Sequence, residues 1–184
     1  MGFALALEAA NQGAHVILIA GPVQLQISHP NITRIDVTSA QQMCDAALQY
    51  FPCMDAAILS AAVADFTPIT KQDKKIKEKQ HLTIELQPTP DIAIEIGKLK
   101  TNQQIVAGFA LETHDEIGNA QTKLIRKNFD FIVLNSLADP GAGFGYDTNK
   151  ITIIDVLGNC TKFELKQKNE VAKDIINILA SLFT

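Results

Sequence analysis

Hydrophobic and polar positions along this chain switch repeatedly between a helical and a strand period. Gly2 to Gln12 carries alanine and leucine at helical spacing, Gly13 is placed to stop a helix, and His15 to Ala20 is a β-branched apolar run ending at Gly21-Pro22. A helix followed by a strand is the second half of a βαβ unit. The strand that should precede it is missing, because Met1 already lies inside the helical pattern with no capping residue before it. The chain is therefore expected to begin within a fold. Ile32 to Val37 predicts a short strand, and Thr38 is the expected cap of a helix reaching about Tyr50, with Met43, Ala46, Ala47 and Tyr50 at helical spacing. Asp55 to Ala62 predicts the next strand. Thr67 to Gln80 is polar and lysine-rich, which suits either a solvated loop or a flap over a ligand, and His81 to Leu86 alternates as a strand beside it.

Pro88 and Pro90 then interrupt the pattern, and Pro90 fits the first turn of a helix continuing through Asp91 to about Leu99. Ile105 to Ala110 predicts a buried strand. Asp115 to Asn128 predicts an amphipathic helix with Ile117, Ala120, Leu124 and Gln121 inward, and Phe131 to Leu134 the following strand. Beyond the glycine-rich stretch Gly141 to Gly145, Lys150 to Val156 and Thr161 to Leu165 bracket Leu157-Gly158-Asn159-Cys160, a hairpin signal. Asn169 is the expected cap of a terminal helix carrying Val171, Ile175, Ile178, Leu179 and Leu182. Alternating helices and apolar strands predict an α/β fold: a mostly parallel sheet with helices on both faces, an antiparallel hairpin at one edge, and the first strand missing. No repeat or linker divides residues 1–184, so a single domain is expected.

Composition narrows the class. At 184 residues and 47% hydrophobic, the chain is long enough for one substantial core. A net charge of -4 gives no general attraction to nucleic acid or to an anionic membrane, so any phosphate site must be built locally. No uninterrupted apolar span is long enough for a membrane helix. Cys44, Cys53 and Cys160 are an odd number without metal-ligand spacing, which fits a reducing cytoplasm and assigns them no catalysis. His15, His29, His81 and His114 show no metal spacing either, and there is no Walker loop, GxGxxG or readable Ser-His-Asp set.

Candidate chemistry gathers at the C-terminal ends of the predicted strands, the edge where open α/β sheets bind ligands. The run Ala56-Ala57-Ile58-Leu59 leads into AAVADF, placing Asp65 just past a strand, and Lys75-Ile76-Lys77 follows ten residues later. A nucleotide suits this pair: Asp65 can hold a ribose hydroxyl or Mg²⁺, and Lys75 can neutralise phosphate. The alternative is a loop carboxylate and a solvated lysine run. Thr89-Pro90-Asp91-Ile92 opens a helix whose free N–H groups form a potential anion or base-edge site, although Asp91 is equally a favourable first-turn acid. Phe109 ends a strand, where it can stack on a base or belong to the core. Lys123 and Lys127, four apart, project from one helix face, an arrangement that suits a polyphosphate or simply a solvated helix end.

Taken in order, MGFALA at Met1, AGPV at Ala20, AAVADF at Ala61, KIK at Lys75, TPDI at Thr89, GFALET at Gly108 and KLIRKNFDFIVLN with Lys123 and Lys127 resemble the phosphopantothenate–cysteine ligase domain. That domain is often the C-terminal half of the bifunctional coenzyme A biosynthesis flavoprotein. The resemblance implies a Rossmann-like fold and condensation of 4′-phosphopantothenate with cysteine, the carboxylate being activated by CTP as an acyl-cytidylate with release of pyrophosphate. It further implies that Leu59, Ser60 and Ala61 meet the nucleotide through backbone, and that Asp65 binds the nucleotide or its Mg²⁺. Lys75 would stabilise charge at the reacting phosphate, Thr89, Pro90, Asp91 and Ile92 would bind the cytidine part, and Phe109, Lys123 and Lys127 would complete the site. A cytoplasmic homodimer is implied, with the hairpin strands as a possible contact.

Two departures stand out. Thr89 occupies a position where the family carries asparagine, and the family's glycine-rich first strand and Ser-Asn-x-Ser-Ser-Gly-Lys segment have no counterpart before MGFALA. The expectation is thus a truncated open reading frame whose nucleotide half is retained. A non-catalytic nucleotide-binding module completed by another chain is the competing class, and a Rossmann-like oxidoreductase is a third that lacks its first-turn fingerprint.

Overall fold

The computed structural model describes residues 1–70, 83–112, 114–136 and 146–183. Its first helix, α1 (Gly2–Asn11), leads through Gly13 into β1 (Val16–Ala20). Gly13 sits at φ +96°, a left-handed conformation that glycine adopts without a Cβ penalty, so the chain can reverse there. β2 (Ile32–Asp36) runs parallel to β1, with Val16 opposite Ile32. The next helix, α2 (Ala40–Tyr50), is capped by Ser39 rather than by Thr38. Ser39 is one residue closer to the first turn, and its Oγ accepts from the Gln42 amide at 3.2 Å, while Thr38 donates its N–H and hydroxyl to the Gln42 side chain. Cys44 and Ala47 form the buried stripe of α2, and burial pushes the Cys44 thiol up, with the Asp45 and Glu95 charges adding to the shift.

A 3₁₀ turn, Phe51–Cys53, precedes β3 (Ala56–Leu59), shorter than the apolar run predicts. β4 (Phe66–Pro68) and β5 (Leu86–Pro88) form an antiparallel ribbon with Phe66 opposite Pro88. The strand expected at His81 to Leu86 thus lies farther along. Its first two residues are outside the described set, and Pro88 is accommodated because a two-stranded ribbon consists only of edges. α3 (Ile92–Leu99), β6 (Ile105–Glu112), α4 (Glu116–Arg126) and β7 (Phe131–Ser136) follow. Two-residue β8 (Thr148–Asn149) precedes β9 (Ile151–Asp155), which pairs with β10 (Cys160–Lys162) as the predicted antiparallel hairpin. Gly158 at φ +82° turns that hairpin, and the Asp155 carboxylate accepts the amides of Leu157 and Asn159, each at 2.9 Å. β11 (Lys166–Gln167) pairs with β8, and α5 (Lys168–Ser181) closes the chain. Gln167 and Glu170 make a reciprocal capping box at α5, so the cap falls two residues before Asn169.

The principal sheet has the order β10-β9-β7-β6-β3, with β3, β6 and β7 parallel and β9 and β10 antiparallel. Its two faces carry two apolar clusters. Val106, Ala110, Ile132 and Ile154 face α2, α3 and α4 through Ala47, Ile96, Ala120 and Leu124. Ala107, Phe131, Val133 and Ile153 face α1 and α5 through Leu5, Val171, Ala172 and Ile175. Ile117, expected inward, is 42% exposed in the first turn of α4, and Leu182, expected on the terminal helix, is its C-cap residue at 47% exposed.

β1 and β2 form a separate pair. Among the described residues β1 pairs only with β2 and β3 only with β6, so each keeps one unpaired edge. Both strands nevertheless lie under the same helices. Leu5 of α1 shares a cluster with Ala56 and Ile58, while Cys44 and Ala47 of α2 share the other with Ala57, Leu59 and Ile19. All four residues of β3 remain half-buried, whereas Val106, Ala107, Ile132 and Val133 are sealed at 0% exposure. An apolar strand edge with no charged guard is a template for further pairing.

Candidate functional site

Leu59 ends β3 directly beside Gly108 of β6, and the chain leaves the sheet there through Ser60 and the exposed Ala61. A side chain at Gly108 would reach within 2.0 Å of the Phe129 ring, so glycine is required for this close approach. Asp65 stands exposed at the end of the loop, and its carboxylate has no hydrogen bond among the described residues. The β4–β5 ribbon returns the chain to the same place. Thr89 donates its N–H to the Asp65 carbonyl at 2.9 Å and its hydroxyl to the Ala64 carbonyl at 2.5 Å. AAVADF and TPDI are thereby stitched into one surface.

Asp91 is the N-cap of α3, and Pro90 lies outside the helix, two positions before its first residue Ile92 rather than in the first turn. One Asp91 oxygen accepts both the Ile94 amide at 3.2 Å and Lys127 Nζ at 3.1 Å. The helix therefore answers one of its own free N–H groups with its own carboxylate, as the first-turn-acid reading anticipates. Burial pushes the Asp91 carboxyl up, but the Lys127 and Ile94 hydrogen bonds and the Lys127 and Arg126 charges outweigh it and hold it below the usual range. Ile92 is a core residue at 9% exposure, so only its backbone can face a ligand.

Lys127 reaches Asp91 because α4 ends against α3. A Cβ on Gly97 would lie 2.3 Å from the Lys127 carbonyl oxygen, and Asn128, in the left-handed region at φ +55°, donates its side-chain amide to the Gly97 carbonyl at 2.9 Å. Lys127 is thus the C-cap residue of α4 rather than part of its helical body. One turn earlier, Lys123 pairs with Glu112 at 2.5 Å; the carboxylate side chain is 14% exposed and the lysine 39%. Glu112 has the strand parity of Ala110 and so faces α4.

Phe109 has the opposite parity. It packs half-buried in the cluster of Leu5 and Ile58, and β6 continues three residues beyond it to Glu112. The structure therefore brings together Leu59 to Ala61, Asp65 and Thr89 to Ile92 on the C-terminal edge; Lys123 and Lys127 sit farther down α4, which runs back from that edge, and reach toward it through Glu112 and Asp91, while Phe109 lies on the other face of the sheet. Lys75 lies outside the described residues, as does the Gly141 to Gly145 stretch. Sequence reasoning passed over Glu112, Gly97 and Asn128. The only hint of Glu112 is an acid within GFALET, because its partner is supplied by a different element.

Among the described residues no cluster of three or more His, Cys, Asp or Glu could hold a metal, and no helix is long and apolar enough to cross a membrane. A lone exposed carboxylate fits Mg²⁺ only in the manner usual for nucleotides, where phosphates and water supply most ligands.

Comparison with known proteins identifies the family and the fold. Residues 1–182 match the family described as the DNA/pantothenate metabolism flavoprotein C-terminal domain. The chain is 58% identical over 183 residues to a protein named cysteine/cysteine sulfinic acid decarboxylase from an unknown prokaryotic organism, covering 99% of this chain and 51% of that one. It is 43% identical over 183 residues to the coenzyme A biosynthesis bifunctional protein CoaBC of Bacillus subtilis (strain 168), covering 99% and 45%. The chain thus spans about half the length of these curated relatives. A crystal structure of the C-terminal domain of CoaBC superimposes with a TM-score of 0.81 at 36% identity, covering 98% of this chain and 82% of that one. By sequence and by fold, this chain belongs to the DNA/pantothenate metabolism flavoprotein C-terminal domain family.

Proposed function

We propose that this chain is a phosphopantothenate–cysteine ligase domain, a single unit over residues 1–184 that activates 4′-phosphopantothenate with CTP and joins it to cysteine. The observation that carries the reading is the shared edge on which two lysine–carboxylate pairs, Lys123 with Glu112 and Lys127 with Asp91, accompany the stitched Asp65 and Thr89 loops. In this reading the backbone of Leu59, Ser60 and Ala61 and the Thr89 to Ile92 turn hold the cytidine end, and Phe109 supports the strand end from the core on the other face. The Thr89 hydroxyl already donates to Ala64, so toward a ligand it can only accept, unlike an asparagine amide. Lys123 and Lys127 take the phosphates, and Asp65 takes the Mg²⁺ that neutralises them when bound.

Bringing a carboxylate to a triphosphate joins two anions, so fixed cations are the main requirement. The substrate carboxylate oxygen attacks the α-phosphorus and pyrophosphate leaves. The cysteine amine then attacks the acyl carbon, CMP leaves, and the amine proton passes to solvent or a nearby base. Lys75 is assigned to the charge that grows at the reacting phosphate. Lys75→Gln is expected to lower turnover far more than CTP affinity, and equal losses would make it a binding residue only. The setting is proposed to be the cytoplasm and the assembly a homodimer, with the β9–β10 hairpin as the contact; Val156 and Leu157 there are 62% and 83% exposed.

The test is incubation of the chain with CTP, Mg²⁺, 4′-phosphopantothenate and cysteine, following pyrophosphate and the coupled product by mass spectrometry. Release of CO2 from cysteine without coupling would favour the activity named in the 58% relative. A second reading draws on the unpaired edges of β1 and β3: a nucleotide-binding module that becomes a ligase only when another chain supplies a strand. It predicts CTP binding with little or no turnover by the 184 residues alone, and robust coupling by them would overturn it.

A further inference from the structure

The lysines assigned to phosphate are not free cations. Glu112 holds Lys123 at 2.5 Å and Asp91 holds Lys127 at 3.1 Å, so the four charges sum to zero. The two carboxylates differ in their commitments. Asp91 also caps α3 through the Ile94 amide, whereas the only partner recorded for the Glu112 carboxylate among the described residues is Lys123. Glu112 is the better sheltered, its side chain 14% exposed against 38% for Asp91, and it is the last residue of β6. Helix capping accounts for Asp91, whereas among the described residues Glu112 has no such second task.

We infer that Glu112 is a specificity-determining gate on Lys123: it occupies the ammonium in the empty site and yields it only to a polyanion. This rests on the reading of Lys123 and Lys127 as phosphate ligands. A polyanion entering between the two pairs must draw Lys123 off Glu112 and then lie beside the uncovered carboxylate. A monoanion cannot offset that repulsion, whereas an extended triphosphate can, by engaging Lys123 and Lys127 together. Glu112 therefore weakens all anion binding but penalises short anions most, so that selectivity for a polyphosphate is gained at the expense of affinity. Removing one of two unit charges a few ångströms apart near a protein surface is expected to change binding by roughly tenfold.

Calorimetric titration of the 184-residue chain with tripolyphosphate, orthophosphate and cytidine, without metal, tests the gate. Glu112→Gln keeps the shape and a hydrogen-bond acceptor for Lys123 while removing the charge. It is expected to bind tripolyphosphate about tenfold more tightly, to gain measurable orthophosphate binding, and to leave cytidine unchanged. Glu112→Gln combined with Lys123→Gln is expected to lose that gain. A purely structural Glu112 gives the opposite sign, with weaker or unchanged tripolyphosphate binding in Glu112→Gln, and that result overturns the gate. If tripolyphosphate binds the parent chain, and Lys123→Gln weakens it while Glu112→Gln does not strengthen it, the gate fails and the phosphate reading stands. No tripolyphosphate binding by any folded variant overturns both.

Discussion

The two ends of the parallel strands carry the same kind of ion pair and use it differently. At the N-terminal end Lys100 meets Asp130 at 2.6 Å, with the lysine only 10% exposed, and the same Asp130 oxygen accepts the Val106 amide at 2.7 Å. Around it the buried Gln104 amide donates to the carbonyls of Phe51 and Met54 at 2.9 and 2.8 Å, and Lys100 also reaches the Asn128 carbonyl at 3.3 Å. These groups tie one part of the chain to another. At the C-terminal end Lys123 is 39% exposed, Glu112 serves that lysine, and the Asp65 carboxylate has no bond among the described residues. An ion pair whose remaining capacity is spent on backbone is a brace, as Lys127–Asp91 partly is through the Ile94 amide, and one whose capacity is left over, as in Lys123–Glu112, is available to a ligand.

Breaking the brace is expected to have the largest effect on stability. Asp130→Ala strands the Val106 amide and a nearly buried lysine together, and about 3 kcal/mol should be lost in urea denaturation. CTP affinity per folded molecule should hardly move; a large loss of affinity with unchanged stability would reverse the roles of the two ends. Next comes Gly97→Ala. Its Cβ would meet the Lys127 carbonyl at 2.3 Å, so α3 and the end of α4 must separate, at a cost of about 1–3 kcal/mol. Because that contact aims Lys127 at Asp91, this variant should lose both stability and CTP affinity.

At the site end, Lys123→Gln with Lys127→Gln should change stability by less than about 1 kcal/mol, as partly exposed pairs contribute little. The smallest effect is a pH dependence. The folded Asp91 carboxyl lies below the ordinary aspartate value of about 3.9. Its contribution is therefore complete above that value and disappears as pH falls through the lower folded one, because the unfolded chain binds the proton first. Lys127→Gln should flatten this acid limb in denaturation curves taken below about pH 4; an unchanged slope would mean that Lys127 does not hold the carboxyl down.

How much of this is legible in the sequence depends on the range of the interaction. α1, β1, α3, β6, β7 and β9 follow from the spacing of their apolar residues, and the β9–β10 hairpin from its Gly158-Asn159 turn signal, since all three residues of β10 are exposed. The caps shift by one or two residues, to Ser39 and Gln167, because runs such as Thr38-Ser39 and Gln167 to Asn169 offer several oxygens and only backbone geometry chooses among them. β8 and β11, two residues each, are too short to show any period. At the site, the strand-end placement of Asp65, Thr89, Asp91, Lys123 and Lys127 is readable from motif order. The pairs they form are not, because Lys127 meets Asp91 from 36 residues away and Phe109 changes face with strand parity.

The central claim is that Lys123 and Lys127 at the C-terminal edge meet the phosphates of a nucleotide. Calorimetric titration of CTP and of cytidine into the parent chain and into the Lys123→Gln, Lys127→Gln double variant tests it most directly. The account predicts that CTP binding weakens by roughly tenfold or more in the double variant while cytidine binding stays the same, since the nucleoside lacks the groups these ammoniums would touch. Equal losses for both ligands, or no loss for CTP, would contradict it and leave the two lysines as the charged end of a helix.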